Sequence, residues 1–322
     1  MSWMLRSGAA LAFAGISVVP VHAAVTFEWV EVGNPGNPAH SNGFGSVDYT
    51  YSISKYEVTH AQWLEFLNSA AKSTLSGIPI FNIESASYGI VRSGTNGNYT
   101  YSLKDPSYAD KPITFVTWTG AARFVNWLHN GQGNASTDTG VYDLTKPYPT
   151  RSVNDSYVLP TIDEWFKAAY YDPNKDGVGG YWKYPTQSDS PMVAEAPPGG
   201  SNSGNYKAGG IYALTGTTTA PTIGMTDVGA YTNAVSAYGT YDQGGNVWEW
   251  VEDVFESNMR GLRGGSWADD ASFTSTDNFV TTPHLNDSIF DYGFRVAFVP
   301  EPGSTLVMFA IGAGLLRRRR KQ

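Results

Sequence analysis

The chain has 322 residues, 41% hydrophobic and 14% aromatic, with 21 Lys+Arg against 29 Asp+Glu and no cysteine. That composition builds a core and excludes a disordered chain; the missing thiol removes disulfides, thiolate metal sites, Cys nucleophiles and thiol redox chemistry. Setting aside Arg6 and the terminal basic run Arg317–Lys321, together with Glu301, leaves 15 basic and 28 acidic residues, a net charge of −13. Such a surface repels phosphate backbones, so no nucleic-acid partner is expected, and its acids favour divalent cations.

In chain order, Arg6 precedes an apolar stretch from Ala9 to Val19, then Pro20 and Val21-His22-Ala23. Residues 1–23 therefore read as a signal peptide, cut by signal peptidase before Ala24. From Val25 to Ile53 apolar and polar residues alternate around Gly33-Asn34-Pro35-Gly36-Asn37-Pro38, predicting strand, turn, strand. Thr59 to Gln62 is a capping-box pattern that opens a helix with Trp63, Phe66 and Leu67 on one face. Thr117 opens a second, carrying Ala121, Phe124, Val125 and Leu128 until Asn130-Gly131; Thr161 to Glu164 caps a third that ends before Pro173. Asp172-Pro173-Asn174-Lys175-Asp176-Gly177 mimics half an EF-hand loop, but Lys183 stands where a bidentate Glu is required, so a turn is expected. Between Tyr184 and Tyr241 the chain is rich in Gly, Ser, Thr and Pro, predicting long loops pinned by aromatics such as Tyr206 and Tyr231. Without a linker, residues 24–299 form one domain.

The last residues read Pro300-Glu301-Pro302, an apolar run from Gly303 to Leu316, then Arg317-Arg318-Arg319-Arg320-Lys321. Fourteen residues span roughly 21 Å as a helix, a marginal transmembrane segment against a core of roughly 30 Å, with the basic end cytoplasmic. The tail, residues 300–322, resembles the PEP-CTERM sorting signal of Gram-negative bacteria, recognised by an exosortase; a plain tail anchor is the simpler alternative. Either places the domain outside the cytoplasmic membrane. The expected location is the cell surface or extracellular matrix, with transient anchoring by the tail.

Two acids, Asp242 and Glu249, bracket the Gly-Gly turn of Tyr241-Asp242-Gln243-Gly244-Gly245-Asn246-Val247-Trp248-Glu249-Trp250. Oxygen ligands of mixed side-chain and backbone origin suit Ca²⁺, but spacing alone also fits a turn with solvated acids. Leu159–Trp165, Gly245–Trp250, Arg263-Gly264-Gly265-Ser266-Trp267 and Gly293-Phe294-Arg295-Val296 follow the order of the formylglycine-generating enzyme (sulfatase-modifying factor) family, and Tyr56–Thr59 and Pro112–Trp118 are similar to its earlier motifs. The resemblance implies an α+β, loop-rich fold, a C-type-lectin-like variant with few short helices and small antiparallel sheets. It also implies one calcium site formed by the Asp242 side chain, the Gly245 and Val247 carbonyls and the Glu249 carboxylate. A second family site would start at Asn205 and Tyr206, but Thr219-Ala220-Pro221-Thr222 offers no carboxylate for it.

The two catalytic cysteines of that family fall here on Asp269 and Thr274, and neither supplies a soft thiolate for copper. Formylglycine generation and a copper site are thus excluded, and the chain has no room for the iron-binding bundle found beside some relatives. The cleft implied by the family would hold Trp267, Asp269, Asp270 and Thr274, where the paired acids either face solvent or serve as cation ligands or acid–base groups. His40, His60, His129 and His284 lack metal or triad spacing. Asn98, Asn134, Asn154 and Asn286 open Asn-x-Ser/Thr triplets of little weight beside a bacterial tail. The leading expectation is a non-catalytic, calcium-stabilised surface or matrix module for a carbohydrate or protein ligand. The alternatives are an extracytoplasmic enzyme using Asp269 and Asp270, and a purely structural matrix component.

Overall fold

A computed structural model describes residues 24–75, 89–152, 156–255, 259–282 and 287–300. The leader, the tail from Glu301 onward (including Pro302), and His284, Asn154 and Asn286 lie outside the described residues.

Helix α1, His60–Ala70, starts as predicted: Thr59 accepts the Gln62 N–H while Gln62 accepts the Thr59 N–H, satisfying two otherwise orphaned donors. Helix α2, Trp118–His129, is capped by Thr117, and α3, Ile162–Tyr170, by a second reciprocal box between Thr161 and Glu164. The apolar faces of α1 and α2 meet in one aromatic core, while α3 packs Trp165, Phe166 and Tyr170 into a second cluster. Trp63 stacks on Phe124 at 5.7 Å, and the Phe294 ring meets both edge-on.

Two four-stranded sheets frame these helices. One runs Trp29–Val32, Tyr51–Ser54, Ala297–Val299, Ser156–Val158, all antiparallel, so the first and last described strands flank Tyr51–Ser54. The other runs Val280–Thr282, Arg260–Arg263, Trp248–Val254, Tyr292–Gly293, with the last pair parallel. The central strand Trp248–Val254 is nearly all buried, and Trp residues lock it to the start of α2: Trp118 Nε1 donates to the Val251 carbonyl (3.0 Å) and Trp250 Nε1 to the Val116 carbonyl (2.8 Å). Arg151 ties α3 to the same strand by pairing Glu164 at 2.9 Å and Glu252 at 2.6 Å.

Residues 184–241 carry only two-residue pairings, such as Val193–Ala194 with Ser203–Gly204, and buried Tyr206 and Tyr231 pin them as the composition predicts. The half EF-hand is a turn. Asp172 accepts the Asn174 N–H at 2.8 Å and the Trp182 indole at 3.0 Å, while Lys183 pairs with Asp277 at 3.1 Å. This is the α+β, loop-rich architecture expected. Among the described residues no helix is long and apolar enough to cross a membrane.

Candidate functional site

The motif segments converge on the loop that feeds the Trp248–Val254 strand. Asp242 and Asn246 take left-handed backbone conformations (φ 60° each), and Gly245 has φ 92°. A side chain at Gly245 would begin 2.3 Å from the Asn205 carbonyl oxygen, so only glycine lets the two backbones approach. Asn246 is the clamp of this loop. Its Oδ1 accepts from Asn205 Nδ2 (3.2 Å) and from the Thr226 N–H (3.0 Å), and its Nδ2 donates to Glu57 (3.0 Å). The Asn205 amide is committed to Asn246 and to the Gly224 carbonyl, and the Tyr206 carbonyl accepts the Ala213 N–H.

Behind the loop lies a buried cluster of charge. Glu249 has no exposed surface; its Oε2 accepts from Arg295 Nε at 2.5 Å and Trp165 Nε1 at 2.8 Å, and its Oε1 from a second Arg295 nitrogen at 2.7 Å. The remaining Arg295 donors go to the carbonyls of Ser54, Lys55 and Tyr241. Asp242 accepts the Gly229 N–H at 2.6 Å; burial, with Glu249 adding to it, pushes its carboxyl up to about 6 against the pull of that bond and of Arg295. Burial also raises Glu57 well above the carboxylate range, with Asp242 and Glu249 adding to it, and its Oε2 is buried without a partner. Three carboxyls thus share one guanidinium. Spacing pointed to Asp242 and Glu249; it missed Glu57 and Arg295, although both sit inside the quoted motifs.

At the position of the first absent thiol, Ser266 and Trp248 hold the side chain. Asp269 Oδ2 accepts from Trp248 Nε1 at 2.7 Å and from the Ser266 hydroxyl at 2.5 Å, and that hydroxyl also lies 2.6 Å from Asp291. A hydroxyl has one proton, so the second short contact needs a proton on a carboxyl. Asp291, which burial pushes up to about 6, is the group disposed to hold it. Asp270 does not share these contacts: it is exposed and precedes the turn Ala271–Thr274, the solvent-facing one of the two alternatives the sequence left open. Asp291 takes its place because the parallel pairing of Trp248 with Tyr292 sets it beside Trp248. Thr274 is buried, with its hydroxyl returned to the Ala271 carbonyl at 2.8 Å. Trp267 packs in a separate apolar cluster with Met225 and Val247.

The histidines stay apart: His40 lies against Phe166 and Tyr181, His60 bonds the Lys111 carbonyl, and His129 bonds Ser156. Among the described residues no three His or carboxylate side chains converge on a metal position. A cation at the loop would therefore rely on carbonyl oxygens as well.

Comparison with known proteins bears on the family and the fold. The family model for the sulfatase-modifying factor enzyme 1-like domain matches residues 30–299, and that for the PEP-CTERM protein-sorting motif matches residues 298–321. The inactive C-alpha-formylglycine-generating enzyme 2 of Mus musculus and that of Bos taurus are each 40% identical over 67 residues, 19% of this chain and 22% of the relative. The match thus spans about a fifth of those relatives' length. The crystal structure of CarF superposes with a TM-score of 0.53 at 20% identity, covering 86% of this chain and 99% of CarF, a likeness of fold. The sorting motif implies export and cell-surface sorting in bacteria, with an exosortase as the recognising partner. From the ordered motifs, the shared fold and the match over residues 30–299, the chain belongs to the sulfatase-modifying factor enzyme 1-like (formylglycine-generating enzyme) family, and it does so without a cysteine.

Proposed function

We propose that the chain is a non-catalytic binding module displayed on the surface or in the matrix of a Gram-negative bacterium, and held transiently at the membrane by its tail. The observation that carries this reading is the chemistry at the two thiol positions. Asp269 is bonded to Trp248 and Ser266, Thr274 is turned back on its own turn, and no thiolate exists to bind Cu(I) or to be oxidised. What the fold retains is a rigid base under long loops, the arrangement on which binding residues are commonly carried.

A groove of about 300 Å³ lined by Lys111, Leu214, Ile223, Met225, Thr226 and Asp227, among others, suits a small ligand. Its floor is fixed, because Thr226 bonds the Asn246 clamp through its N–H and hydroxyl. Lys111 and the exposed Asp227 pair at 2.7 Å above apolar side chains, offering a donor and an acceptor to the hydroxyls of a sugar. The test is a glycan array followed by titration calorimetry on the best hit. Saturable binding weakened at least tenfold by Asp227→Ala supports the reading. Absence of glycan binding, with saturable capture of a peptide instead, replaces the ligand class; saturable binding of neither leaves a structural matrix component.

The reading includes one calcium ion held by the Asp242 and Glu249 carboxylates and the Gly245 and Val247 carbonyls. Its support is an all-oxygen donor set, three buried carboxyls against one guanidinium, and the orphaned Glu57 oxygen. Glu249 would share its carboxylate between the ion and Arg295. When bound, calcium would neutralise excess charge and pin the loop, so a chelator should lower the melting temperature; an unchanged value together with no bound ion in native mass spectrometry refutes the site.

A second reading rests on Ser266 between Asp269 and Asp291, an acid–base pair that an enzyme could use. It requires a turnover that Asp269→Asn and Asp291→Asn abolish with folding intact.

A further inference from the structure

The outward face of the sheet that carries the chain's last described strand is aromatic, where a solvated antiparallel face is ordinarily polar. Register places Glu31, Ser52, Phe298 and Tyr157 in one row across the four strands, with Trp29 opposite Ser54 beside it. Ser52 and Ser54 are short and leave the middle of the face low. The Trp29 ring reaches across them, to 6.0 Å from Tyr157 and 6.5 Å from Phe298, while Tyr157 and Phe298 meet edge-on at 5.7 Å. Phe27 extends the group at 5.3 Å from Trp29. Trp29 is 38% exposed and the other three are half-buried, whereas the opposite face puts Val32, Ile53, Val158 and Ala297 fully in the core. Core packing accounts for the inner face and in part for Phe27 and Tyr157, Phe27 lying 6.5 Å from the buried Phe124 ring, but it leaves Trp29 and Phe298 unexplained.

We infer that this patch is a membrane-facing surface, with Trp29, Tyr157 and Phe298 seated in the interfacial layer of the bilayer that the apolar segment Gly303–Leu316 enters. The occupant follows from where the described chain ends. Phe298 lies five residues before Gly303, and five extended residues reach at most about 18 Å. With the basic end Arg317–Lys321 cytoplasmic, a segment of roughly 21 Å keeps Gly303 no farther out than the outer boundary, so the tether holds the patch within that distance of the headgroups. Trp and Tyr are enriched at that depth because an apolar ring with a polar edge suits a layer that is half wet. Tethering also converts docking into an intramolecular event, so a few aromatic contacts suffice. The inference rests on the sorting-tail reading, which supplies the tether.

The test uses the chain from Ala24 onward, as export leaves it, reconstituted in phosphatidylcholine vesicles with and without brominated acyl chains. Zwitterionic lipid avoids repulsion of the acidic domain. The tail contains no tryptophan and Trp29 is one of nine in that chain, so quenching by brominated lipid reports on the domain's approach. The expected result is loss of about a tenth of the emission, abolished by Trp29→Phe and reduced by the pair Tyr157→Ser/Phe298→Ser, while all forms co-float with the vesicles. Co-flotation with quenching absent, or unchanged by Trp29→Phe, overturns the membrane-facing patch alone. Failure to co-float overturns the tether and the patch with it. A lipid-free dimer that shields Trp29 from acrylamide assigns the face to a second copy and likewise overturns it. Trp29→Phe keeps an aromatic ring, so misfolding does not confound the comparison.

Discussion

Replacing Arg295 with Gln perturbs the pivot of the site. Arg295 is wholly buried and donates to both oxygens of Glu249 and to the carbonyls of Ser54, Lys55 and Tyr241. Gln removes the charge and the forked geometry, leaving Glu249 with Trp165 as its remaining donor and at least two carbonyls unsatisfied. Breaking a buried ion pair from one side costs about 3–5 kcal/mol, and each stranded carbonyl adds about 1 kcal/mol. The sum, about 5–7 kcal/mol, is a large share of the 5–15 kcal/mol typical of a domain. At about 2–4 °C per kcal/mol for a chain of this size, the melting temperature should fall by 10 °C or more, roughly. The assay is urea denaturation followed by circular dichroism on Arg295→Gln, Glu249→Gln and the double variant. The double variant should be less destabilised than the sum of the two singles, because it buries no uncompensated charge at this pair. A cost below about 1 kcal/mol for Arg295→Gln, or strict additivity, would refute the claim that this pair organises the site.

Burial pushes His60 down to about 4 against the opposing pull of its contact with the Lys111 carbonyl, and its other ring nitrogen accepts a long bond from the Gly89 N–H. The unfolded state takes the proton first, so this contribution is complete above about pH 6.5 and is lost as pH falls toward 4, about 3 kcal/mol in all. His60→Gln should flatten that part of the stability–pH curve, measured as urea midpoints at half-unit steps; an identical curve contradicts it. Thr161→Ala should cost about 1–2 kcal/mol by removing a cap, and Glu164→Ala more, because Glu164 also pairs with Arg151; a reversed order in thermal denaturation contradicts this. Gly245→Ala should cost more than about 2 kcal/mol, since it adds positive-φ strain to a clash with the Asn205 carbonyl, and near-native melting would show that the loop can move.

Local signals were legible because their causes are local. A threonine three residues before Gln62 or Glu164 satisfies orphaned N–H groups whatever the rest of the chain does, so the two capping boxes mark α1 and α3 from sequence. The thiol positions could be read by motif alignment; in the fold Asp269 bonds Ser266 and Thr274 bonds back to its own turn. The rest depends on pairings between distant segments. Asp291 reaches Ser266 only through the parallel register of Trp248 with Tyr292, and Asp270 stays exposed ahead of the turn Ala271–Thr274. Glu249 looked like a loop acid because spacing does not show that Arg295 arrives from the connection between two strands, 46 residues later. The outward aromatic patch is equally silent in sequence, since Phe27, Trp29, Tyr157 and Phe298 come from three separated stretches that meet only in the sheet.

The central proposal is that this member of the family keeps the fold without the family's cysteine-dependent reaction. It is tested most directly by incubating the purified chain with copper, oxygen and a cysteine-containing sulfatase-motif peptide, and following the peptide by mass spectrometry. The account predicts an unchanged peptide thiol at every time point, matched to a control lacking the protein. Conversion of that cysteine to formylglycine, dependent on this chain and lost in Asp269→Ala, would contradict it.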